Sequence, residues 1–299
     1  MHAEAFCPGH ITGLFYIPQQ KENIQEKGSL GAGLSIDRGV TTCCSIEKGS
    51  GFEVYINDKE EESPTLSLDA LMLFAREAGG LPDGKLVIRH TTELPIGCGL
   101  GTSGAAAISL LIALNRLAGS PLEELKLYQL AHKAEILAGT GLGTVLGQYT
   151  GGCKISIKPG APGIGEALSI ETTDISIIAA IYAPMLTSQA LASEEVKKSI
   201  NSAGKTLHRE LVNNPTLENF IRTSTQFSEK ANLFTDMLKP LHSDLAKNNI
   251  PHSMLMFGQG IYSICPEDET ADLVKFYKVH CPEERLYIFK ITEERGKLL

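Results

Sequence analysis

Residues 95–107 read PIGCGLGTSGAAA, and this stretch decides how the rest of the chain is read. Gly97, Gly99 and Gly101 alternate with single residues, and Gly104 precedes three alanines. Strong helix formers continue from 102 to 117, with an apolar stripe through Ala106, Leu110, Ala113, Leu114 and Leu117. The first NH groups of such a helix lack internal partners and sit at the positive end of its dipole, which makes an anion site. Glycines ahead of the helix permit positive φ and remove Cβ atoms that would hold a phosphate away. Thr102 and Ser103 add hydroxyls that can cap the helix or reach a metal carried by a nucleotide.

Three owners of this loop compete. The P-loop pattern fails because no lysine follows any of these glycines. A dinucleotide fingerprint is present in Gly99, Gly101 and Gly104, but a polar loop and Pro95 separate it from the preceding strand, expected at 85–89. The acidic residues some twenty positions on, Glu123 and Glu124, follow Ser120-Pro121 at a helix start where that fingerprint needs a strand end. A plain glycine turn before a core helix remains open. Downstream, Glu135 lies mid-helix in LAHKAEILAG with His132 three residues earlier on the same face. This pair is readable either as a metal or substrate group or as a solvated surface pair.

Net charge is −8 with dispersed lysines and arginines, which argues against nucleic acid as the main partner. No apolar run is long enough to cross a bilayer; the longest, 104–114, contains Ser109 and stops at Asn115-Arg116. The N-terminus lacks the regions of a signal peptide, and seven cysteines without paired spacing suit a reducing compartment, so a cytoplasmic location is expected. Hydrophobic content of 42% over 299 residues allows a large core and suggests two domains. Strands are expected at 3–7, 40–46, 52–56 and 85–89, and helices at 66–78, 102–117 and 122–137. After the proline and glycine loop at 158–165 come a strand at 175–181 and amphipathic helices between 188 and 247. Strands at 253–256 and 261–265, a helix at 267–279 and a strand at 285–290 complete the order. Strands and helices mixed in both halves give an α+β class, divided at 1–165 and 166–299.

PIGCGLGTSGAAA resembles the PxGxGLGSSAA loop of the GHMP kinase superfamily, departing at Thr102 and Gly104. CPGHITGLF near the N-terminus and MFGQGIYSI at 256–264 resemble its first and third motifs, so the resemblance spans nearly the whole chain. It implies a two-domain fold with the active site in the cleft between the halves, and ATP and Mg²⁺ as cofactors. Pro95, Gly97, Gly99, Leu100, Gly101, Thr102, Ser103 and Gly104 then hold ATP, and Ser103 and Glu135 hold the metal. PGHITGLF, the stretch GSLGAGLSIDRGVTT at 28–42, HKAEILAGTGLG and QYTGG further resemble the archaeal pantoate kinase family. That family phosphorylates the primary hydroxyl of pantoate to give 4-phosphopantoate for coenzyme A synthesis.

The resemblance assigns acceptor recognition to Ser29 and His132, with backbone NH groups of Gly31 and Gly33 close by and His10 and Thr12 in the matching N-terminal loop. Two positions depart from the family. Thr144 replaces the aspartate of GLGD, removing a base or metal ligand, and Ser156 replaces an arginine suited to the pantoate carboxylate. Loose phosphoryl transfer tolerates loss of a base, as homoserine kinases of the superfamily are thought to do. Lys154 or Lys158, on the same strand as Ser156, is expected to supply the missing charge. Alternatives are a diverged paralogue acting on another hydroxy acid or alcohol, and a non-catalytic ATP-binding module. Cys98 sits inside the glycine loop, where a helix N-terminus can lower a thiol pKa, so alkylation that ATP protects is a test of the loop's place. The plainer reading, a small side chain that fits, is preferred, and no role is assigned to it. A homodimer using the strand at 40–46 is compatible with the sequence.

Overall fold

Two long strands organise the chain: β1 (His2–Tyr16) and β2 (Leu30–Glu47) pair antiparallel from His2 opposite Ser45 to Tyr16 opposite Leu30. Register shifts occur between Pro8 and Gly9 and between Thr12 and Leu14. Both strands run well beyond the segments expected from the sequence, and they absorb the glycine-rich stretches that look like loops. His10 and Thr12 therefore stand on a strand, in the middle of a ladder. Glycine is required there by crowding: a Cβ at Gly39 would collide with the carbonyl oxygen of Cys7.

The computed structural model describes residues 1–185 and 194–299. The beginning of the helical run expected from 188 lies outside the described residues. After β2 come β3 (Phe52–Ile56), β4 (Lys59–Glu60), α1 (Thr65–Ala78), β5 (Lys85–Thr91), α2 (Thr102–Leu117), α3 (Glu124–Ala138) and α4 (Thr144–Thr150). Next are β6 (Cys153–Lys158), β7 (Glu166–Ile170), β8 (Ile175–Pro184), α5 (Glu194–Asn213), α6 (Leu217–Lys230) and α7 (Lys239–Lys247). The order ends with β9 (His252–Met254), β10 (Gly258–Pro266), α8 (Thr270–Lys278), β11 (Leu286–Lys290) and β12 (Lys297–Leu298).

The larger sheet runs β12-β1-β2-β5-β3-β4, with β6 on the other half of β2 and β7 beyond β6. β2 is internal, with its two halves paired to β5 and β6, so the segment 40–46 offers no free edge to a second copy. A second antiparallel sheet runs β11-β8-β10-β9. Two cores result. The first half of β1 and the second half of β2 pack Ala5, Cys7, Val40 and Cys44 against α1, α2 and α3. The complementary halves pack Ile11, Leu14, Leu34 and Ile36 against the second sheet, α5 and α6. All seven cysteines are free thiols, and all but the half-buried Cys43 are buried.

Polar groups are also buried in both cores. His90 sits among Thr42, whose Oγ1 is 2.8 Å from Nδ1, and Ser67, whose Oγ is 3.3 Å from Nε2. His252 Nε2 is 2.8 Å from Nδ1 of His242, and its own Nδ1 donates to the Ile250 carbonyl at 2.7 Å. Burial depresses the pKa of His10, His90 and His252 from 6.5 to about 4. The unfolded chain therefore binds more protons than the fold between these values, so stability rises with pH from about 4 to 6.5 and is lost on acidification through that window. Each histidine adds at most about 1.4 kcal/mol per pH unit. Urea unfolding at stepped pH should show this slope, and His90→Gln should make it shallower by close to one proton; identical slopes for the two proteins would exclude a neutral buried His90.

Candidate active site

The glycine loop is shaped by the chain it touches. Gly97, Gly99 and Gly101 have φ of 74°, 78° and 65°, in the left-handed region that side chains avoid. A Cβ at Gly99 would lie 2.5 Å from the Met256 carbonyl oxygen, and one at Gly101 would lie 2.9 Å from the backbone nitrogen of His10. The first and third sequence motifs thus clamp the second from both sides. His10 donates its NH to the Leu100 carbonyl at 2.9 Å, and Gln148 Nε2 donates to the carbonyls of Pro8 at 2.9 Å and Gly101 at 3.0 Å. Gly101 begins α2 with no side chain bonded to the helix end, so neither Thr102 nor Ser103 caps it. The dipole end of a 16-residue helix is left for a ligand.

A cavity of about 860 Å³ opens at this helix end, where the two cores adjoin. Gly97, Gly99, Leu100, Gly101, Thr102 and Ser103 line it. Pro95 and Gly104 do not. Gly104 faces Gln148 instead, where a Cβ would lie 2.5 Å from Oε1, so an alanine at 104 would displace the amide that ties the loop to β1.

One arm of the cavity is lined by Val40, Val54, Ile56, Ser67 and His90, from three strands and α1, and by Thr92 just past the end of β5. These residues carry no motif and were not anticipated from the sequence. The arm is apolar, with a few hydroxyls, and suits a flat heteroaromatic group. The opposite arm is lined by Thr12, Ser29, Gly31, Gly33, Lys154 and Ser156, with Met256 and Phe257 from the second half of the chain. Thr144, at the start of α4, also lines the cavity with its side chain near Gly104 and Gly141, and Ser29 packs against Gly143 beside it.

Glu135 is 2% exposed and stands behind the wall of the cavity. Thr140 Oγ1 donates to its Oε1 at 2.5 Å, while Oε2 abuts Gly141 and makes no well-formed hydrogen bond among the described residues, the Ser103 hydroxyl being near the carboxylate but not bonded to it. Burial raises its pKa, and the hydroxyls of Thr140 and Ser103 pull it back down. A buried carboxylate oxygen with no hydrogen bond among the described residues, near Ser103 and an uncapped helix end, offers one ligand that a cation would satisfy. The residues therefore fit the Mg²⁺ that accompanies a nucleotide. Glu135 is accordingly no solvated surface charge.

Several expectations change. His132 shares the helix with Glu135 but does not line the cavity; it is 2% exposed and its Nε2 lies 3.1 Å from the Lys27 carbonyl oxygen. It ties down the single turn at Ile24–Glu26, with burial lowering its pKa. Gly31 and Gly33 line the cavity from within the sheet: Gly33 lies opposite Thr12 on β1 and Lys154 on β6, and the His10 imidazole covers its Cα. These glycines accommodate neighbours and are not loop NH donors. His10 also abuts Gly147, with its Nδ1 buried and unpartnered. Lys158 pairs with Glu166 at 2.9 Å, is exposed, and lies outside the cavity. Cys98 is buried, and burial pushes its thiol up to about 11, the reverse of an activated thiolate.

The chain is similar to known proteins in sequence and in fold. The GHMP kinases N-terminal domain matches residues 66–152. Pantoate kinase from Methanocaldococcus jannaschii is 32% identical over 273 residues, covering 91% of this chain and 96% of that protein. Pantoate kinase from Thermococcus kodakarensis is 31% identical, covering 90% and 89%. A solved structure described as a phosphotransferase related to the CoA biosynthesis pathway superposes with a TM-score of 0.87 at 28% identity, covering 100% of this chain and 99% of its own. Mevalonate diphosphate decarboxylase from Staphylococcus aureus shares the fold with a TM-score of 0.74 at 11% identity, covering 100% and 98%. With the glycine loop, its two clamping motifs and the buried glutamate in place, the chain belongs to the GHMP kinase superfamily and, within it, to the pantoate kinase family.

Proposed function

We propose that the protein transfers the terminal phosphoryl group of ATP to the primary hydroxyl of pantoate, forming 4-phosphopantoate and ADP. The observation that carries this reading is the pairing of the uncapped α2 N-terminus with the unpartnered Oε2 of buried Glu135. The loop from Gly97 to Ser103 would cradle the triphosphate with backbone NH groups, and the apolar arm around Val54 and His90 would take the nucleobase. Ser103 and Glu135 would hold Mg²⁺, which when bound neutralises charge on the transferring phosphoryl oxygens. Thr12 and Ser29 offer hydroxyls to the acceptor in the opposite arm. The acceptor oxygen bonds to phosphorus as the bond to the β-phosphate oxygen breaks, and the hydroxyl proton departs to water.

Thr144 decides how this step runs. It lines the cavity, would border the reacting centre, and cannot take a proton as a carboxylate does. His10 is a poor substitute, because its imidazole is held near a pKa of 4 and wedged between glycines. Catalysis therefore rests on positioning and charge neutralisation, and forgoes a base worth about 10²–10⁴-fold. The same residue favours a second reading, in which ATP is bound but turned over slowly or on another hydroxy acid.

Incubation with MgATP and pantoate, following both ADP and 4-phosphopantoate, should show turnover that mevalonate, homoserine and pantothenate do not support. Product from another hydroxy acid but not from pantoate would favour the second reading, and binding of ATP with no product from any acceptor would leave a non-catalytic ATP-binding module. Thr144→Asp should raise kcat substantially if the site is otherwise intact; a negligible gain would mean that the local mechanism has been rebuilt without a carboxylate. Glu135→Gln should lower kcat by about 100-fold or more and weaken the Mg²⁺-dependent part of nucleotide binding. Its ligand-free unfolding midpoint should be at least that of the wild type, since a buried carboxylate with an unpartnered oxygen is removed. An unchanged kcat would take Glu135 out of the metal site.

A further inference from the structure

The acceptor arm needs a positive charge for the carboxylate of a hydroxy acid, and the cavity wall contains a single lysine and no arginine among the described residues. That lysine is Lys154. It stands in a row across four strands, Thr12 opposite Gly33, Gly33 opposite Lys154 and Lys154 opposite Ser169. Directly opposed residues of an antiparallel ladder project to the same face. Thr12, Gly33 and Lys154 therefore present one continuous strip to the cavity, and Ser156 lies two positions along the same strand and face.

The ammonium is held but not saturated. Its Nζ donates to Ser169 Oγ at 3.0 Å and to Glu293 Oε2 at 3.3 Å, two of the three donors a lysine carries. The lysine side chain is only 13% exposed, whereas Glu293 is 68% exposed, so a carboxylate can reach the same cation without displacing a buried partner. Other charges in the cavity are unsuited to the task. His10 and His90 are uncharged near neutral pH, Glu61 is an acid, and the helix dipole faces the phosphate side.

We infer that Lys154 binds the carboxylate of the acceptor and sets the preference of the enzyme for an acidic substrate, in the place of an arginine at Ser156. The inference rests on the pantoate kinase reading above. One charge-assisted hydrogen bond is then offered where an arginine would offer a fork, so the carboxylate is held by a movable point charge.

Steady-state kinetics on four proteins test it. Lys154→Met should raise the KM for pantoate about 10–100-fold while leaving the KM for ATP unchanged, and Lys154→Arg should restore most of the loss. Wild-type enzyme should prefer pantoate to its uncharged amide, and Lys154→Met should lose that preference. Glu293→Gln removes the ion pair and keeps the cation, so its KM for pantoate should be no higher than wild type. A Glu293→Gln enzyme that reproduces the Lys154→Met defect would make the lysine a structural partner and overturn the inference. Wild-type turnover of pantoate with an unchanged KM in Lys154→Met would also overturn it, leaving the function intact. No turnover of pantoate by the wild type would overturn the function and the inference together.

Discussion

The pairing of β1 with β2 is the constraint on which everything else rests. The two strands serve the helical core with one half and the second-sheet core with the other, and they change allegiance near the register shift at Pro8 and Gly9. At this crossover His10 fixes the glycine loop through Leu100, and Gln148 fixes it through Gly101. The anion site is thereby built on the joint between two cores and shares their rigidity. A loop with three left-handed glycines would otherwise sample many conformations, and the ordering is done by packed neighbours before any ligand arrives.

How far the sequence could be read depends on what each signal encodes. Helix α2 was legible to the residue, because Gly101 starts it and a dense apolar stripe sustains it. The strand β3 was equally plain in its β-branched and aromatic residues. The segment of β1 with Gly9 and Gly13 around His10 and Thr12 was read as a loop because a glycine announces freedom or crowding without saying which. His132 and Glu135 looked equivalent, since three residues on a helix leave them near one face. The difference lies in their neighbours: Lys27 comes from far upstream to meet the histidine, and Thr140 folds back on the glutamate. The nucleobase arm was invisible, being assembled from scattered residues that only the sheet brings together.

Charge is placed in the cavity at a cost to the fold. Glu135 is buried just behind its wall with an oxygen that makes no hydrogen bond among the described residues, an unfavourable burial that a bound cation would offset. The histidines around the cavity are kept neutral by burial, which leaves the electrostatics to Glu61 on the wall, Glu135 behind it, one helix end and one lysine. With so few charges, losing the aspartate and arginine of the family at Thr144 and Ser156 alters the balance of the site without dismantling its frame.

The cysteines have a consequence of another kind. Cys7 and Cys44 lie in the helical core, and Cys98, Cys153, Cys265 and Cys281 lie in the other, with no bond among them. Burial holds thiols such as Cys98 and Cys153, pushed up to about 11 and about 12, in their unreactive form while the fold is closed. Each core thus carries a native chemical clock: the order in which these thiols meet a labelling reagent records which half of the molecule breathes first, with half-buried Cys43 as the internal standard for a thiol already in reach of solvent.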